Sequence, residues 1–424
     1  MGSARILAIM GSGETSPTMV TIHKALAERL GPGPHRAVLL DTPYAFQENA
    51  ADISARAQAY FARSVGLRVE LAPDGDDRAS AAAIRGSDWV FAGPGSPTYA
   101  LAKWRGSPVT EALRDRIAAG SGITIIASAA AAAMGLLAVP VYEIYKVGAD
   151  PYWLDGLDLL SVLGLKAAVI PHYDNAEGGT HDTRFCYLGE RRLAILEREL
   201  PADSAVLGVD EHTALVFDLE TEQVQVLGKG GATVRKAGQS TVLRSGSAIS
   251  LSDLADLIRH GGTGGRPGRA DPHGAAEPGS PPGAGGPAGT ELPELTKAAQ
   301  SQFEVAASDR DGAAMVAAIL ELESAIEAWA TDTDENDNSD RARAVLRGLI
   351  VRLGQSAEDG LTDPADRLGP AVEPLIRLRA ALRQDGAYQA ADEVRTALAA
   401  AGIELRDSPD GTSWTTGETV STVS

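Results

Sequence analysis

The sequence predicts an α/β domain with a mostly parallel sheet between helices, followed by a separate α-helical bundle. Three observations predict this architecture. Short β-like runs alternate with amphipathic stretches in the first part of the chain. A Gly- and Pro-rich segment at residues 261–290 interrupts that pattern, and residues 291–424 show mainly helical periodicity. Strands that alternate with helices are typical of a parallel sheet, because each strand then needs a crossover connection.

The elements of the first part follow in a clear order. The early β-like runs are RILAIMG, AVLLDTP, LRVELAP, DWVFAGPG and ITIIAS, with amphipathic stretches such as TMVTIHKALAERL and NAADISARAQAYFARS between them. The later runs, KAAVIPHY, AVLGVDEHTALVFDL, VQVLGKGG and TVLRSG, have few helices between them. We therefore expect a parallel sheet with helices on both faces and an antiparallel extension.

The segment at residues 261–290 divides the chain into two domains. It contains 11 Gly and 6 Pro and no aliphatic residue larger than Ala, so it buries too little apolar surface to offset its ordering entropy. We expect a flexible, disordered tether between a domain at 1–260 and a domain at 291–424. The charge balance also changes there: residues 1–260 contain 24 Lys/Arg and 30 Asp/Glu, whereas residues 291–424 contain 12 Lys/Arg and 25 Asp/Glu.

Apolar residues at spacings of three and four predict the helices of the second domain. One stripe consists of Met315, Ile319, Leu322, Ile326 and Trp329. Similar stripes occur in RARAVLRGLIVRLG, VEPLIRLRAALR and AYQAADEVRTALAAAG, where Gly402 is a plausible helix stop. The acidic run at 332–340 is interpreted as a solvated loop rather than a metal site.

Composition limits the classes of function. The 424 residues carry a formal charge of -19, which argues against a general nucleic-acid binder. This net charge is still compatible with local basic patches. No run approaches the roughly 20 apolar residues of a membrane span, and residues 6–10 lack a signal-peptide pattern, so a cytoplasmic protein without membrane contact is expected. The single cysteine, Cys186, excludes intrachain disulfides and favours a packing role over a nucleophilic one.

Polar or glycine-rich residues follow four of the β-like runs. They are residues 11–16, 93–96, Ser128 and 171–173. The carboxyl ends of parallel strands meet at one edge of a sheet, so these residues are expected around one crevice. The sequence Gly11-x-Gly13 lacks the third glycine of a dinucleotide-binding turn, which leaves a nucleotide site as the weaker alternative. The glycines at 93 and 95 suit either an oxyanion-binding turn or a tight structural turn.

Ser128 lies at a strand-to-helix corner, where an ordinary helix cap is more common than a nucleophile. A nucleophilic hydroxyl needs a base, and that base needs an orienting partner. His172 is the candidate base and Glu211 the candidate orienting group. His181 and His212 compete for the role of base, and metal ligation by the three histidines stays open from spacing alone.

Several motifs resemble the cyanophycinase and aspartyl-dipeptidase family, which shares its flavodoxin-like fold with class I glutamine amidotransferases. The sequence IASAAA at 126–131 stands where the family has its Gly-x-Ser-Ala-Gly-Ala nucleophile elbow. PHY at 171–173, with the downstream Arg184 and ERRL at 190–193, is similar to the histidine motif. GVDEHTAL at 208–215 resembles the stretch that carries a family glutamate, and GSGE at 11–14 and FAGPG at 91–95 match two glycine turns.

The resemblance implies a serine peptidase without a cofactor or metal that acts beside an aspartyl residue of a small peptide-like substrate. Ser128 would attack the carbonyl, His172 would remove its proton and Glu211 would support the histidine. The resemblance further implies oxyanion or substrate contacts, which we expect from Gly13, Gly93, Gly95, Ala129 and Arg184. A homodimer is compatible with the sequence.

The elbow departs from the family pattern at two positions, where Ile126 and Ala130 replace glycines. A strained nucleophile turn needs small neighbours, because strand and helix backbones approach closely there. Ala130 satisfies that need. Ile126 either packs away from the turn or marks an inactive homologue.

The end of the chain resembles the C-terminal region of cysteinyl-tRNA synthetases. The residues that carry this resemblance are ADEVR at 391–395, GIEL at 402–405 and DSPDGTSW at 407–414. The HIGH-like and KMSKS-like motifs and the cysteine-rich zinc site of those enzymes do not occur in the sequence. The alternative function is therefore a catalytically silent protein that binds tRNA or a protein partner through residues 291–424. Binding of tRNA needs its arginines on one face: Arg341, Arg343, Arg347, Arg377, Arg379 and Arg383.

Overall fold

The computed structural model describes most of the chain. The described residues are 4–73, 75–177, 181–262, 291–330, 332, 338–359, 364–408 and 411–416. By contacts, the chain divides into one unit of Met1–Leu292 with Ala325–Ser339 and another of Pro293–Ser324 with Asp340–Ser424. Residues 263–290 of the predicted tether and 333–337 of the acidic run lie outside the described residues.

The first unit contains two main sheets and eight α-helices among its described residues. The strands are β1 Arg5–Met10, β2 Ala37–Leu40, β3 Val69–Leu71, β4 Trp89–Ala92, β5 Gly122–Ala127, β6 Leu137–Ala138, β7 Leu154–Asp155, β8 Ala167–Ile170, β9 Ala205–Val209, β10 Thr213–Asp218, β11 Gln223–Gly228, β12 Gly231–Lys236, β13 Gln239–Arg244 and β14 Ala248–Ser250. The helices are α1 Val20–Glu28, α2 Ala50–Tyr60, α3 Asp77–Arg85, α4 Pro97–Trp104, α5 Pro108–Ala119, α6 Ser128–Met134, α7 Gly189–Glu197 and α8 Leu251–His260.

The larger sheet has the strand order β14-β11-β10-β1-β5-β4-β2-β3. The five strands from β1 to β3 in that order pair in parallel. β10, β11 and β14 extend the sheet with antiparallel pairing. This topology confirms the predicted α/β fold with a mostly parallel sheet. The expected antiparallel extension is only partly correct, because the runs KAAVIPHY and TVLRSG lie in a second sheet.

Alternating side chains of β1 build a core on each face of the larger sheet. Leu7 and Ile9 belong to the core that α3 to α6 cover, whereas Ile6, Ala8 and Met10 belong to the core that α1 and α2 cover. This alternation follows from the two-residue period of a strand. Each fully buried Leu or Ile contributes about 1.5–3 kcal/mol relative to an exposed one, so both helical layers are held mainly by these contacts.

The second sheet has the order β13-β12-β9-β8 and meets the first where the chain passes from β9 to β10. β8 and β9 are parallel, and β9 ends at Val209. β10 begins at Thr213 in the larger sheet, so the run AVLGVDEHTALVFDL is divided between the two sheets. His212 takes a φ of +51° at this crossing. Glu211 therefore lies where the two sheets meet.

The second unit is helical, with a hairpin at its end. The helices of this part of the chain are α9 Leu292–Ser308, α10 Gly312–Ala328, α11 Asn338–Asp359, α12 Pro364–Gln384 and α13 Tyr388–Ala400. The first residue of α9, the last turn of α10 and the first two residues of α11 belong to the first unit. The strands β15 Ile403–Ser408 and β16 Gly411–Thr416 pair in antiparallel fashion and were not expected from the helical periodicity. Ile403 and Leu405 pack against the helices because alternate positions of a strand share a face. No helix among the described residues has the length and hydropathy to cross a bilayer.

Candidate active site

The turn between β5 and α6 holds Ser128 in a strained backbone conformation. Its φ is +45°, a region that a residue with a β-carbon adopts at a cost of about 1–3 kcal/mol. Ser128 is the first residue of α6, and the N-cap position before it is occupied by Ala127. Ser128 Oγ lies 3.2 Å from His172 Nε2, and the residue is 8% exposed. The serine is thus placed as a hydrogen-bonding partner of the histidine rather than as a cap.

His172 connects Ser128 to a carboxylate. It follows β8 after Pro171 and has a φ of +47°. Its Nδ1 lies 2.9 Å from Glu211 Oε1. A carboxylate only accepts, so the proton sits on Nδ1 and Nε2 presents its lone pair to the Ser128 hydroxyl. This tautomer is the one that a general base needs.

Glu211 remains ionised in this arrangement. Burial alone would raise the pKa of its carboxyl. Hydrogen bonds from His172 and Asn175, with electrostatic attraction to the imidazoles of His172 and His212, outweigh burial and lower that pKa below its ordinary value. An ionised carboxylate beside Nδ1 stabilises the imidazolium that forms when the histidine takes a proton.

Two polar residues that follow His172 hold Glu211, and sequence reasoning missed both. Asp174 Oδ1 accepts the main-chain N–H of Glu211 at 2.7 Å. Asn175 Nδ2 donates to Glu211 Oε1 at 3.1 Å. Their position two and three residues after the candidate base was the signal available in the sequence. The loop after β8 therefore contacts Glu211 through both its backbone and its side chain.

Asp174 gives a pH-dependent prediction. Burial, together with the negative charges of Asp210 and Glu211, raises the pKa of the Asp174 carboxyl to about 6. A raised carboxyl pKa favours folding below pH 4, and that contribution is lost as the pH rises through 6. Asp174→Asn keeps an acceptor for Glu211, so we expect a higher melting temperature than wild type at pH 7.5 and an equal one near pH 3.5. Thermal unfolding at both pH values checks this, and a less stable variant at pH 7.5 contradicts it.

A short left-handed turn fixes the backbone at His172. Residues 185–187 all have positive φ, at +62°, +55° and +63°. The main-chain N–H of Cys186 donates to the His172 carbonyl at 3.0 Å, and that of Phe185 donates to the Tyr173 carbonyl at 2.9 Å. The Tyr187 ring lies 6.4 Å from the His172 ring. A strained turn persists only where surrounding contacts hold it in place. Here the hydrogen bonds that hold the turn are made to the backbone of the candidate base and of the residue after it.

The strain at Cys186 is measurable by two matched substitutions. Cys186→Ala and Cys186→Gly both remove the buried sulfur, but only glycine adopts the left-handed conformation without penalty. We expect the glycine variant to be more stable than the alanine variant by about 1 kcal/mol in urea unfolding. An alanine variant that is as stable as the glycine variant would show that this turn is unstrained.

The glycine turns make close backbone approaches. A β-carbon on Gly11 would lie 2.1 Å from the Asp210 carbonyl oxygen, and one on Gly13 would lie 2.2 Å from His212 Nδ1. On Gly95 it would lie 2.1 Å from the Pro43 oxygen. Gly93 accepts a hydrogen bond from the Ala130 N–H at 3.2 Å, which links this turn to the start of α6. Packing thus accounts for Gly11 and Gly13 without a nucleotide, and the oxyanion roles of Gly13, Gly93, Gly95 and Ala129 stay predictions.

The departures at Ile126 and Ala130 are accommodated by the fold. Ile126 is 1% exposed and lies in the same core cluster as Ile9, Ala92 and Ala130. Ala130 is equally buried in the first turn of α6. The isoleucine therefore does not prevent the strained conformation of Ser128.

The other candidate residues have separate partners. His181 lies near the Tyr145 hydroxyl at 3.5 Å, and His212 Nδ1 lies 2.9 Å from Thr18 Oγ1, so the structure does not gather the three histidines into one set of contacts. Arg184 makes a two-pronged ion pair with Asp182, at 2.9 Å for each contact. Its predicted role in substrate binding stays a prediction. Burial raises the pKa of the Cys186 thiol to about 12, as suits a packing role.

Comparison with known proteins relates the end of the chain to one family. Residues 365–414 match the model of the cysteinyl-tRNA ligase anticodon binding domain. The cysteine–tRNA ligase of Salinibacter ruber is 35% identical over 130 residues, which are 28% of this chain and 25% of that protein. That of Psychrobacter cryohalolentis is 44% identical over 70 residues, 16% of this chain and 13% of that protein. The chain spans a quarter or less of the length of these relatives, and the predicted C-terminal resemblance is confirmed.

A solved structure is similar to the larger part of the chain. It is the crystal structure of a peptidase from an acI-B1 Actinobacterium. The sequence identity is 21% and the TM-score is 0.47, with 58% of this chain and 97% of that chain covered.

Proposed function

We propose that the first unit is a serine-type hydrolase that cleaves a peptide or isopeptide bond beside an aspartyl residue. The observation that carries this proposal is the continuous hydrogen-bonded chain from Ser128 Oγ through His172 to Glu211, with separations of 3.2 and 2.9 Å. A hydroxyl, an imidazole and a carboxylate in this order form the arrangement that activates a serine nucleophile. The strained φ of Ser128 gives independent support.

The proposed chemistry follows from this arrangement. Ser128 Oγ attacks the substrate carbonyl carbon while His172 Nε2 takes the hydroxyl proton. The resulting oxyanion accepts hydrogen bonds from main-chain N–H groups at Ala129 and the turn at 93–95. His172 then passes the proton to the leaving amine as the C–N bond breaks. Water, deprotonated by the same histidine, releases the acid and regenerates the serine.

A panel of dipeptides tests the substrate class. The purified chain is incubated with dipeptides that carry α-linked or β-linked aspartate, beside matched glutamate and alanine dipeptides, and free amino acids are measured by mass spectrometry. We expect release from the aspartyl members and none with Ser128→Ala. Release from every dipeptide alike contradicts the aspartyl preference. Activity that survives in Ser128→Ala contradicts the serine mechanism, and no release from any member favours the silent binding protein.

The second unit has a candidate function of its own, which is RNA binding. Its match at residues 365–414 to an anticodon binding domain favours this function. Of the arginines named above, Arg379 is 2% exposed and binds Asp407 with both terminal nitrogens at 2.8 Å, and Arg383 contacts the same carboxylate. The exposed Arg347 and Arg377 are better placed to contact phosphates.

A gel shift with the full chain and bulk tRNA tests RNA binding. We expect a shift at 50 mM salt that weakens strongly at 200 mM, because phosphate contacts release counterions. Arg347→Glu is expected to weaken the shift, whereas Arg85→Glu in the first unit serves as the control. A chain that fails to shift tRNA even at the lower salt contradicts RNA binding by this unit.

A further inference from the structure

Asn175 is a buried residue that contacts two members of the candidate site. It is 1% exposed. Its main-chain N–H donates to the His172 carbonyl at 3.2 Å, and its Nδ2 donates to Glu211 Oε1 at 3.1 Å. That oxygen is the one that accepts His172 Nδ1–H. One carboxylate oxygen of Glu211 therefore accepts hydrogen bonds from both the His172 imidazole and the Asn175 amide.

The orientation of the Asn175 amide is fixed by its other contacts. Its Oδ1 accepts the main-chain N–H of Glu177 at 3.3 Å, so the opposite end of the amide must be the donor that faces Glu211. The Thr183 hydroxyl donates to the main-chain carbonyl of Asn175 at 3.4 Å, which holds the backbone of this residue. Because the oxygen of the amide already has a donor, rotation by 180° would lose that bond and place two oxygens against each other. The amide is thus held as a donor to Glu211.

We propose that Asn175 is a positioning residue, which fixes Glu211 so that Oε1 faces His172 Nδ1 in the charge state needed for catalysis. This proposal rests on the proposed serine mechanism. The terminal torsion of a glutamate is broad and roughly two-fold, so a carboxylate with one partner exchanges its oxygens or tilts away. A second donor on the same oxygen restricts that motion and favours the ionised form.

Several charged or titratable groups surround the contact between Asn175 and Glu211, and a substitution of Asn175 changes their electrostatic environment. His172 is faced by Ser128 from the β5–α6 turn, by Glu211 from the β9–β10 crossing and by the Tyr187 ring. Around Glu211 lie the carboxyls of Asp174 and Asp210 and the imidazole of His212. Asn175 is neutral among these charges. A carboxylate in its place adds negative charge beside Glu211 and His172.

The test measures how fast a fluorophosphonate probe labels Ser128 between pH 5 and 9. Asn175→Ala is expected to lower the second-order rate constant about 10- to 100-fold, as for loss of a hydrogen bond to a charged group. The near-isosteric Asn175→Asp is expected to move the acidic limb of the profile upward by about one pH unit, because added negative charge favours the imidazolium. Gln223→Glu adds the same charge at the exposed start of β11 and is expected to leave the profile unchanged.

A double-mutant cycle separates positioning from general damage. In a Glu211→Gln background, Asn175→Ala is expected to have little further effect, because its target is already changed. Fully additive losses, or an Asn175→Asp profile that coincides with wild type, would overturn the proposal. If the Asn175→Ala variant does not fold, the pH profile of the Asn175→Asp variant alone decides whether the proposal holds.

Failure of this proposal is distinguishable from failure of the proposed function. If wild type is not labelled on Ser128 at any pH, the serine mechanism fails. NMR titration of the His172 imidazole then still tests Asn175, since Asn175→Asp is expected to raise the His172 pKa by about one unit. An unchanged His172 pKa overturns the positioning role, whether or not the serine is reactive.

Discussion

Replacing His172 with asparagine is expected to lower the rate at which a fluorophosphonate probe labels Ser128 by about a thousandfold or more. His172 Nε2 is the hydrogen-bonding partner of Ser128 Oγ, and an amide cannot take the hydroxyl proton. Asparagine is chosen because it tolerates the φ of +47° at this position better than other residues. If the variant folds but Ser128 is labelled slowly, the loss of rate is therefore due to the missing base and not to a changed backbone conformation.

Two companion variants make this prediction specific. Glu211→Gln keeps the shape of the carboxylate partner and removes its charge, so we expect a smaller loss, on the order of a hundredfold or more. His181→Asn changes a histidine whose described contact is with Tyr145, so we expect a rate close to wild type. The assignment is wrong if His172→Asn keeps the wild-type rate, or if His181→Asn loses as much.

Replacing Arg235 with methionine is expected to lower the free energy of unfolding by about 3–5 kcal/mol. The Arg235 side chain is 7% exposed and binds Glu190 with two nitrogens at 2.9 and 2.6 Å. Its Nε contacts Glu197 at 3.0 Å, and the Glu197 side chain is also 7% exposed. Methionine fills part of the space but leaves the Glu197 carboxylate buried without its cation. The cost of that unpaired charge explains the size of the effect.

The control for Arg235 is an exposed ion pair in the same unit. Arg85 and Asp115 lie 3.2 Å apart with side chains 48% and 68% exposed. Arg85→Met is expected to change stability by less than about 1 kcal/mol, because water screens such a pair. Urea unfolding of both variants checks the comparison. Equal effects of the two substitutions would contradict the account of the buried pair.

The position of the candidate site could be predicted from the sequence because its members follow strands. Ser128 comes after β5 and His172 after β8, as the sequence predicted, although β8 belongs to the second sheet and not to the sheet of β5. The meeting of two sheets at Glu211 could not be predicted, since strand pairing depends on contacts far apart in the chain. A local pattern does not show that β9 and β10 belong to different sheets.

The strained backbone of the site was not predictable either. Phe185 and Tyr187 are residue types that favour extended structure, yet both are left-handed, as is Cys186 between them. Hydrogen bonds to the carbonyls of His172 and Tyr173 impose this conformation, and these bonds exist only in the folded chain. The C-terminal hairpin is a different case, because its pattern is visible in the sequence. Ile403 and Leu405 alternate with polar residues before the turn-forming sequence Pro-Asp-Gly, which is typical of a hairpin. The helical periodicity of the preceding residues led to a helical prediction for the whole region.

The most direct test of the serine mechanism is to locate the fluorophosphonate adduct by peptide mapping and mass spectrometry. The wild-type chain is predicted to carry one adduct, on Ser128, and the Ser128→Ala variant is predicted to carry none. An adduct on any other residue, or equal labelling of the two proteins, would contradict the assignment of Ser128 as the nucleophile.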